Sequence, residues 1–228
     1  MNKNKLKIIV GVAIIGIGGF FFYNKAKAAD FSTSVGLSYV TETAHRGQIL
    51  SEDGLEFEAG VSTTLLESLD ASVSLFSKKT FDGADEVRPS IEIGTSIFDS
   101  VELGFGAVKY NGHASLDGSH ELYLEGGVDI ILNPSVAFFH NPDTDLNTIE
   151  GSVAHGVELL GQEVNLSAFV GETEFSSTLD STYYGASAST SKPLNEDLTL
   201  NLGVTYVDND LANSDAETIF LIGVSTSF

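Results

Sequence analysis

Cysteine is absent from the 228 residues, which excludes disulfides, thiol nucleophiles and cysteine metal sites. Basic residues are scarce, with 11 Lys and Arg against 32 Asp and Glu and a net charge of −21. That deficit argues against nucleic acid as a partner, because phosphates call for basic patches. It favours cations, or a setting in which divalent ions bridge negative groups. Beyond the first two dozen residues no apolar run approaches the ~20 residues a transmembrane helix needs. Hydropathy is nearly neutral, as expected of a chain that spans a membrane with strands, where only alternate residues are apolar.

The N-terminus reads as a leader. Lys3, Lys5 and Lys7 form a positive n-region, Ile8 through Tyr23 is an apolar run, and Ala26-Lys27-Ala28 supplies a small-x-small cleavage signal. The run falls short of a membrane span and is followed at once by Lys25 and Lys27. This predicts a cleaved signal peptide over 1–28 and a single mature domain over 29–228. The leader holds five of the basic residues and none of the acids, so the mature chain has six bases against 32 acids, a net charge of −26.

What the mature chain does have is period-two alternation. In the last strand Phe220, Ile222, Val224, Thr226 and Phe228 share one parity, and Gly223, Ser225 and Ser227 the other. Successive side chains of a strand point to opposite faces, so this strand has one apolar and one small, polar face. Leu55, Phe57, Ala59, Val61, Thr63 and Leu65 repeat the pattern, as do Leu198, Leu200, Leu202, Val204 and Tyr206. Twelve strands are predicted, at 31–43, 54–65, 69–78, 87–98, 101–110, 120–132, 135–140, 148–159, 163–171, 181–190, 198–207 and 217–228. Most match the ~9–11 residues of a tilted membrane strand.

The connections alternate between long and short, with one exception at Ser191–Glu196. Membrane barrels show that rhythm, with short turns on the periplasmic side and longer loops outside. The polar faces carry Gly94, Ser96, Gly104, Gly106, Gly185, Ser187 and Ser189, where a water-facing sheet prefers Thr, Lys and Arg. Soluble edges also use lysines against aggregation, and few remain here. The expected fold is an all-β, antiparallel, up-and-down transmembrane barrel of about 12 strands in the outer membrane of a Gram-negative-type bacterium. A soluble β-sandwich or ligand-binding barrel is the rival.

Arg46-Gly47-Gln48-Ile49-Leu50-Ser51-Glu52-Asp53-Gly54, followed by Glu56-Phe57-Glu58-Ala59-Gly60-Val61, resembles a family of uncharacterised bacterial outer-membrane proteins. That family has an Arg-Gly…Ser…Asp-Gly segment after its first strand. The strand near Glu121–Gly127, then Asn133-Pro134-Ser135, and the terminal Phe228 extend the similarity. His45 stands where the family usually has an aromatic. The resemblance implies an outer-membrane barrel and brings no catalytic residues or cofactor. An aromatic end also resembles the signal read by barrel-assembly machinery, so that machinery is an expected partner through the strand ending at Phe228, beside membrane lipid and lipopolysaccharide.

The parity opposite the apolar one collects Glu56, Glu58, Glu92, Glu102, Glu121, Glu125, Asp129, Glu150, Glu158 and Glu163, against mainly Arg88 and Lys78. Such acids could line a pore that concentrates cations and repels anions, or could simply keep a filled interior wet. No loop looks long enough to fold in as a plug. The outside loops are acidic too, at Glu52-Asp53, Asp82, Asp85-Glu86, Asp117, Asp143, Asp145, Asp208, Asp210 and Asp215. None carries the full calcium-loop pattern. Tyr39, Tyr110, Tyr183, Tyr184, Tyr206, Phe138 and Phe228 fall near strand ends, as an aromatic girdle would. His140 and His155 have no obvious serine partner and no Gly-x-Ser-x-Gly exists, so a hydrolase has the weakest support. The primary expectation is a narrow passive channel for small cationic or neutral solutes, without a cofactor. The alternative is a non-conducting surface barrel whose acidic loops bind a partner or divalent cations.

Overall fold

The alternating stretches form a closed wall of twelve antiparallel strands. The computed structural model describes residues 31–51, 53–66, 68–97, 100–113, 116–176, 179–211 and 215–228. The predicted signal peptide lies outside them. The wall consists of β1 (Ser32–Val40), β4 (Gly54–Leu66), β5 (Leu69–Thr80), β6 (Glu86–Ile97), β7 (Val101–Lys109), β8 (His120–Val128), β9 (Ser135–Asn141), β10 (Leu146–Leu159), β11 (Gln162–Ser176), β12 (Leu179–Pro193), β13 (Thr199–Asn209) and β14 (Glu217–Ser227). Two short strands, β2 (Thr43–His45) and β3 (Gln48–Ser51), pair only with each other, as a separate hairpin between β1 and β4. Each wall strand bonds to the next in sequence, and β1 closes the ring against β14. Closure leaves no free sheet edge.

Register fixes which face looks out. Leu37, Phe57, Val73, Ile91, Phe105, Leu124, Phe138, Val153, Leu166 and Phe220 are exposed along the outer wall. A soluble protein would bury such a band. In a membrane barrel lipid is the solvent that covers it. The sandwich reading is thereby excluded by topology.

Three features depart from the pattern expected from sequence. The stretch 172–180, read as a long loop, is mostly ladder: β11 and β12 pair from Val164↔Thr190 to Ser176↔Leu179. Glu172, Glu174 and Asp180 are exposed there, so the hydrophobic signal ends while the hydrogen bonds continue. At ~3.3 Å per residue a 15-residue strand is roughly 50 Å long, well beyond an apolar band ~25 Å tall even when tilted. In the opposite sense, the strand predicted to reach residue 132 stops at Val128. The exceptional long turn at Ser191–Glu196 also shrinks, because β12 runs to Pro193 and leaves 194–198, closed by Leu194 N–H to Leu198 O at 2.8 Å.

Glycine has a defined use on the inner face. A side chain at Gly106 would meet the Tyr123 ring, one at Gly171 the Tyr183 ring, and one at Gly185 the Phe169 ring. In each case an inward aromatic lies flat over a glycine on the neighbouring strand, covering bare backbone. These aromatics thicken the wall inward at the end that bears the long loops.

Candidate functional site

The inner face divides into two halves of different chemistry. Toward the long-loop end it is filled. The β2–β3 hairpin turns into the barrel mouth, and its tip, Arg46-Gly47, is buried. Both tip residues have positive φ, 49° and 78°. For Gly47 this backbone costs nothing, and its missing side chain matters as well, since a Cβ would collide with Tyr183 and lie 3.1 Å from Asn209 Cβ. The expectation that no loop could serve as a plug is therefore overturned: a nine-residue hairpin is enough when its tip is this small.

Several contacts among the described residues seat the hairpin. Arg46 Nη2 lies 2.5 Å from Glu121 Oε1, with both side chains almost inaccessible to solvent. The guanidinium also sits 4.6 Å from the Phe139 ring centre, a cation–π geometry. Asn209 Nδ2 donates to the Gly47 carbonyl. Ala44 joins Phe169, Tyr183 and Val207 in an apolar cluster. The hairpin thus bridges from its root between β1 and β4 to the walls of β8–β9 and β11–β13. His45, the last residue of β2, also meets Tyr110 and His113 edge to face, and the three ring centres lie 4.9–5.7 Å apart.

The predicted lining residues of this half are engaged. Glu121 is fully buried and accepts from Tyr110 Oη at 3.1 Å as well as from Arg46; it faces no open passage. Glu150 accepts from Tyr183 Oη at 2.7 Å. Arg88 pairs with Glu86 at 3.2 Å and stacks over Phe76, its Cζ 3.9 Å from the ring centre. Lys78 is buried, and the register sets it between Glu56 on β4 and Glu86 on β6. Tyr110 and Tyr183, expected in the outer girdle, face inward and are wholly buried, whereas Phe138, Tyr184 and Tyr206 do lie exposed on the outside.

The half toward the short turns is acidic, with Glu102, Glu158 and Glu163 exposed and Glu92 and Glu125 half-buried. Glu92 on β6, accepting from Tyr123 Oη at 2.7 Å, lies near Glu125 and Glu102 on the next strands. Gly104 leaves room for the Glu125 side chain, whose Cγ a methyl there would approach to 2.8 Å. Glu158 and Glu163 are directly opposite one another on β10 and β11. Glu58 faces inward above them, while Asp129 lies beyond the end of β8 at the short-turn rim. Among the described residues no lysine or arginine projects from this half of the inner wall.

The acidic loops are built into local structure. Asp143 accepts from the His120 backbone N–H at 2.7 Å and lies 3.0 Å from its ring Nδ1. Those hydrogen bonds hold the carboxyl below the usual range. Asp117 receives the Gly112 N–H at 2.6 Å, and Asp85 pairs with Lys79 at 2.7 Å. Among the described residues no three or more His, Asp or Glu side chains are grouped so as to hold a metal ion. His155 points outward and is exposed, and His140 shares a hydrogen bond with Asn147 at 2.9 Å.

His113, in the loop between β7 and β8, gives a direct check on this packing. Burial, aided by the positive charges of Arg88 and Arg46, lowers its pKa to about 4. An imidazole titration followed by NMR should place the His113 midpoint at about 4, far below the ~6.5 of a free imidazole. A midpoint near 6.5 would mean that water reaches the ring and that the mouth is not sealed.

No protein-family model matches the chain, and no curated protein matches it. Solved structures do. The chain is similar to the KdgM porin at a TM-score of 0.57 and 12% identity, over 86% of this chain and 99% of that one. It is similar to the NanC porin at 0.53 and 14%, over 85% and 98%. An outer membrane channel from Pseudomonas putida F1 follows at 0.52 and 8%, over 90% and 98%. At these identities the likeness is one of fold: the chain has the architecture of an outer-membrane porin.

Proposed function

We propose that this chain is a narrow passive channel of the outer membrane, admitting small cationic or neutral solutes. One observation carries the reading. The inward bases Arg46, Lys78 and Arg88 sit in the long-loop half beside carboxylates, leaving Glu92, Glu102, Glu125, Glu158 and Glu163 on a wall without positive charge. Carboxylates lining a low-dielectric wall raise the local cation concentration and oppose anions. A porin of the same fold is known in complex with disordered oligogalacturonate, a polyanion. The acidic wall here disfavours solutes of that class.

The mature protein in a planar bilayer under a salt gradient should show a cation-selective reversal potential. Replacing Glu92, Glu102 and Glu125 together by glutamine should lower the cation-to-anion permeability ratio by roughly threefold or more. An unmoved reversal potential would remove these three from the lining. A second reading, a non-conducting surface barrel, is favoured by the filled mouth alone. A silent bilayer containing an intact barrel would select it.

A further inference from the structure

We infer that the β2–β3 hairpin is a displaceable gate, latched shut by Arg46 on Glu121. The inference rests on the channel reading and adds its regulation.

The hairpin is independent of the wall. It forms its own two-stranded sheet, while β1 and β4 pair directly at its root, from Ser32↔Ser62 to Val40↔Gly54. Withdrawing it breaks no hydrogen bond of the barrel ladder. A lone two-stranded hairpin is marginal in water, so its docked position depends on what its tip touches. Those contacts are the ion pair, the cation–π contact, the Asn209–Gly47 hydrogen bond and the edge-to-face packing of His45 on Tyr110 and His113. Ala44 supplies a small apolar contact.

The receptor survives the departure of the tip. Glu121 keeps the Tyr110 hydroxyl and Tyr183 keeps Glu150. Water entering the vacated space would meet the Glu121 carboxylate, the Tyr110 hydroxyl and the Asn209 amide beside Phe139, Phe169 and Val207, so the emptied mouth is a mixed polar and apolar passage leading to the acidic half. A permanent cork would be expected to share ladder pairing with the wall, whereas β2 and β3 pair only with each other.

The chain has no cysteine, so an introduced pair can be read without background. Ala44→Cys with Val207→Cys joins hairpin to wall within one packed cluster. Three proteins are compared in bilayers, each first shown to be a folded barrel by heat-modifiable migration: this pair, Arg46→Ala, and a variant with 43–51 replaced by a short Gly-Ser bridge. The expected results are conductance that falls at least tenfold on oxidation and returns with dithiothreitol, an open fraction raised about tenfold by Arg46→Ala, and steady opening of the shortened variant. Equal conductance of the oxidised and reduced pair would overturn the gate and leave the channel standing. An unchanged open fraction in Arg46→Ala would overturn the latch. Silence from the shortened variant would overturn the channel itself, and the gate with it.

Discussion

Replacing Glu121 by leucine is expected to expose Arg46 to trypsin. In the native barrel the bond after Arg46 is shielded, because the side chain is buried and the tip is packed against Tyr183 and Asn209. Removing the carboxylate leaves a guanidinium in a low-dielectric site, with the Phe139 ring and the charge of the Glu150 carboxylate as partial compensation. Breaking a buried pair by deleting one partner costs roughly 3–5 kcal/mol, which corresponds to on the order of a hundredfold or more in the population of the undocked hairpin. Cleavage follows that population when opening and reclosing are fast. Lys79, whose side chain is 69% exposed, supplies the internal reference, since its cleavage rate should not change. Glu121→Gln, which can still accept a hydrogen bond, should fall between. Equal cleavage at Arg46 in all three proteins would show that this pair does not hold the tip.

The second large effect concerns Gly171. A valine there would place its branched carbon where the Tyr183 ring now lies. The ring could not stay: its hydroxyl would lose Glu150, and its Cβ now packs against Gly47. Overpacking of this kind costs about 1–3 kcal/mol, and a buried carboxylate deprived of its donor roughly 1–3 more. Gly151→Ala is the control, because the nearest atom to an added methyl there is at 4.0 Å. Denaturant unfolding in lipid vesicles should separate the two substitutions by several kcal/mol. Similar midpoints would mean that the Tyr183 ring has another place to go.

The wall was legible because lipid imposes a strict periodicity. Stretches such as Leu55–Leu65 and Leu198–Tyr206 alternate cleanly, since every second residue meets acyl chains, and all twelve strands occur near their expected positions. Legibility stopped where the bilayer stops. Above it both faces of β11 and β12 are polar, so Glu172–Asp180 read as loop although the ladder runs through it. The hairpin escaped for a different reason. Strands of three and four residues are too short to show a period, and Arg46 could have paired with any of ten inward acids. A signal was present in Arg46-Gly47 itself: one of six mature bases, followed by the one residue whose backbone can approach a wall closely. Tyr110 and Tyr183 stand near strand ends, as girdle residues do, yet their parity puts both indoors.

The seam between β1 and β14 sets Ser34 opposite Ser227 and bonds Thr33 to Phe228 in both directions, at 2.8 and 3.0 Å. Synthesis delivers the first of these partners long before the second. Until β14 is available, the strands made so far can form only an incomplete ribbon with two raw borders, each a template for a stray neighbour. The ring therefore forms only if the last strand finds the first before either border meets a second copy.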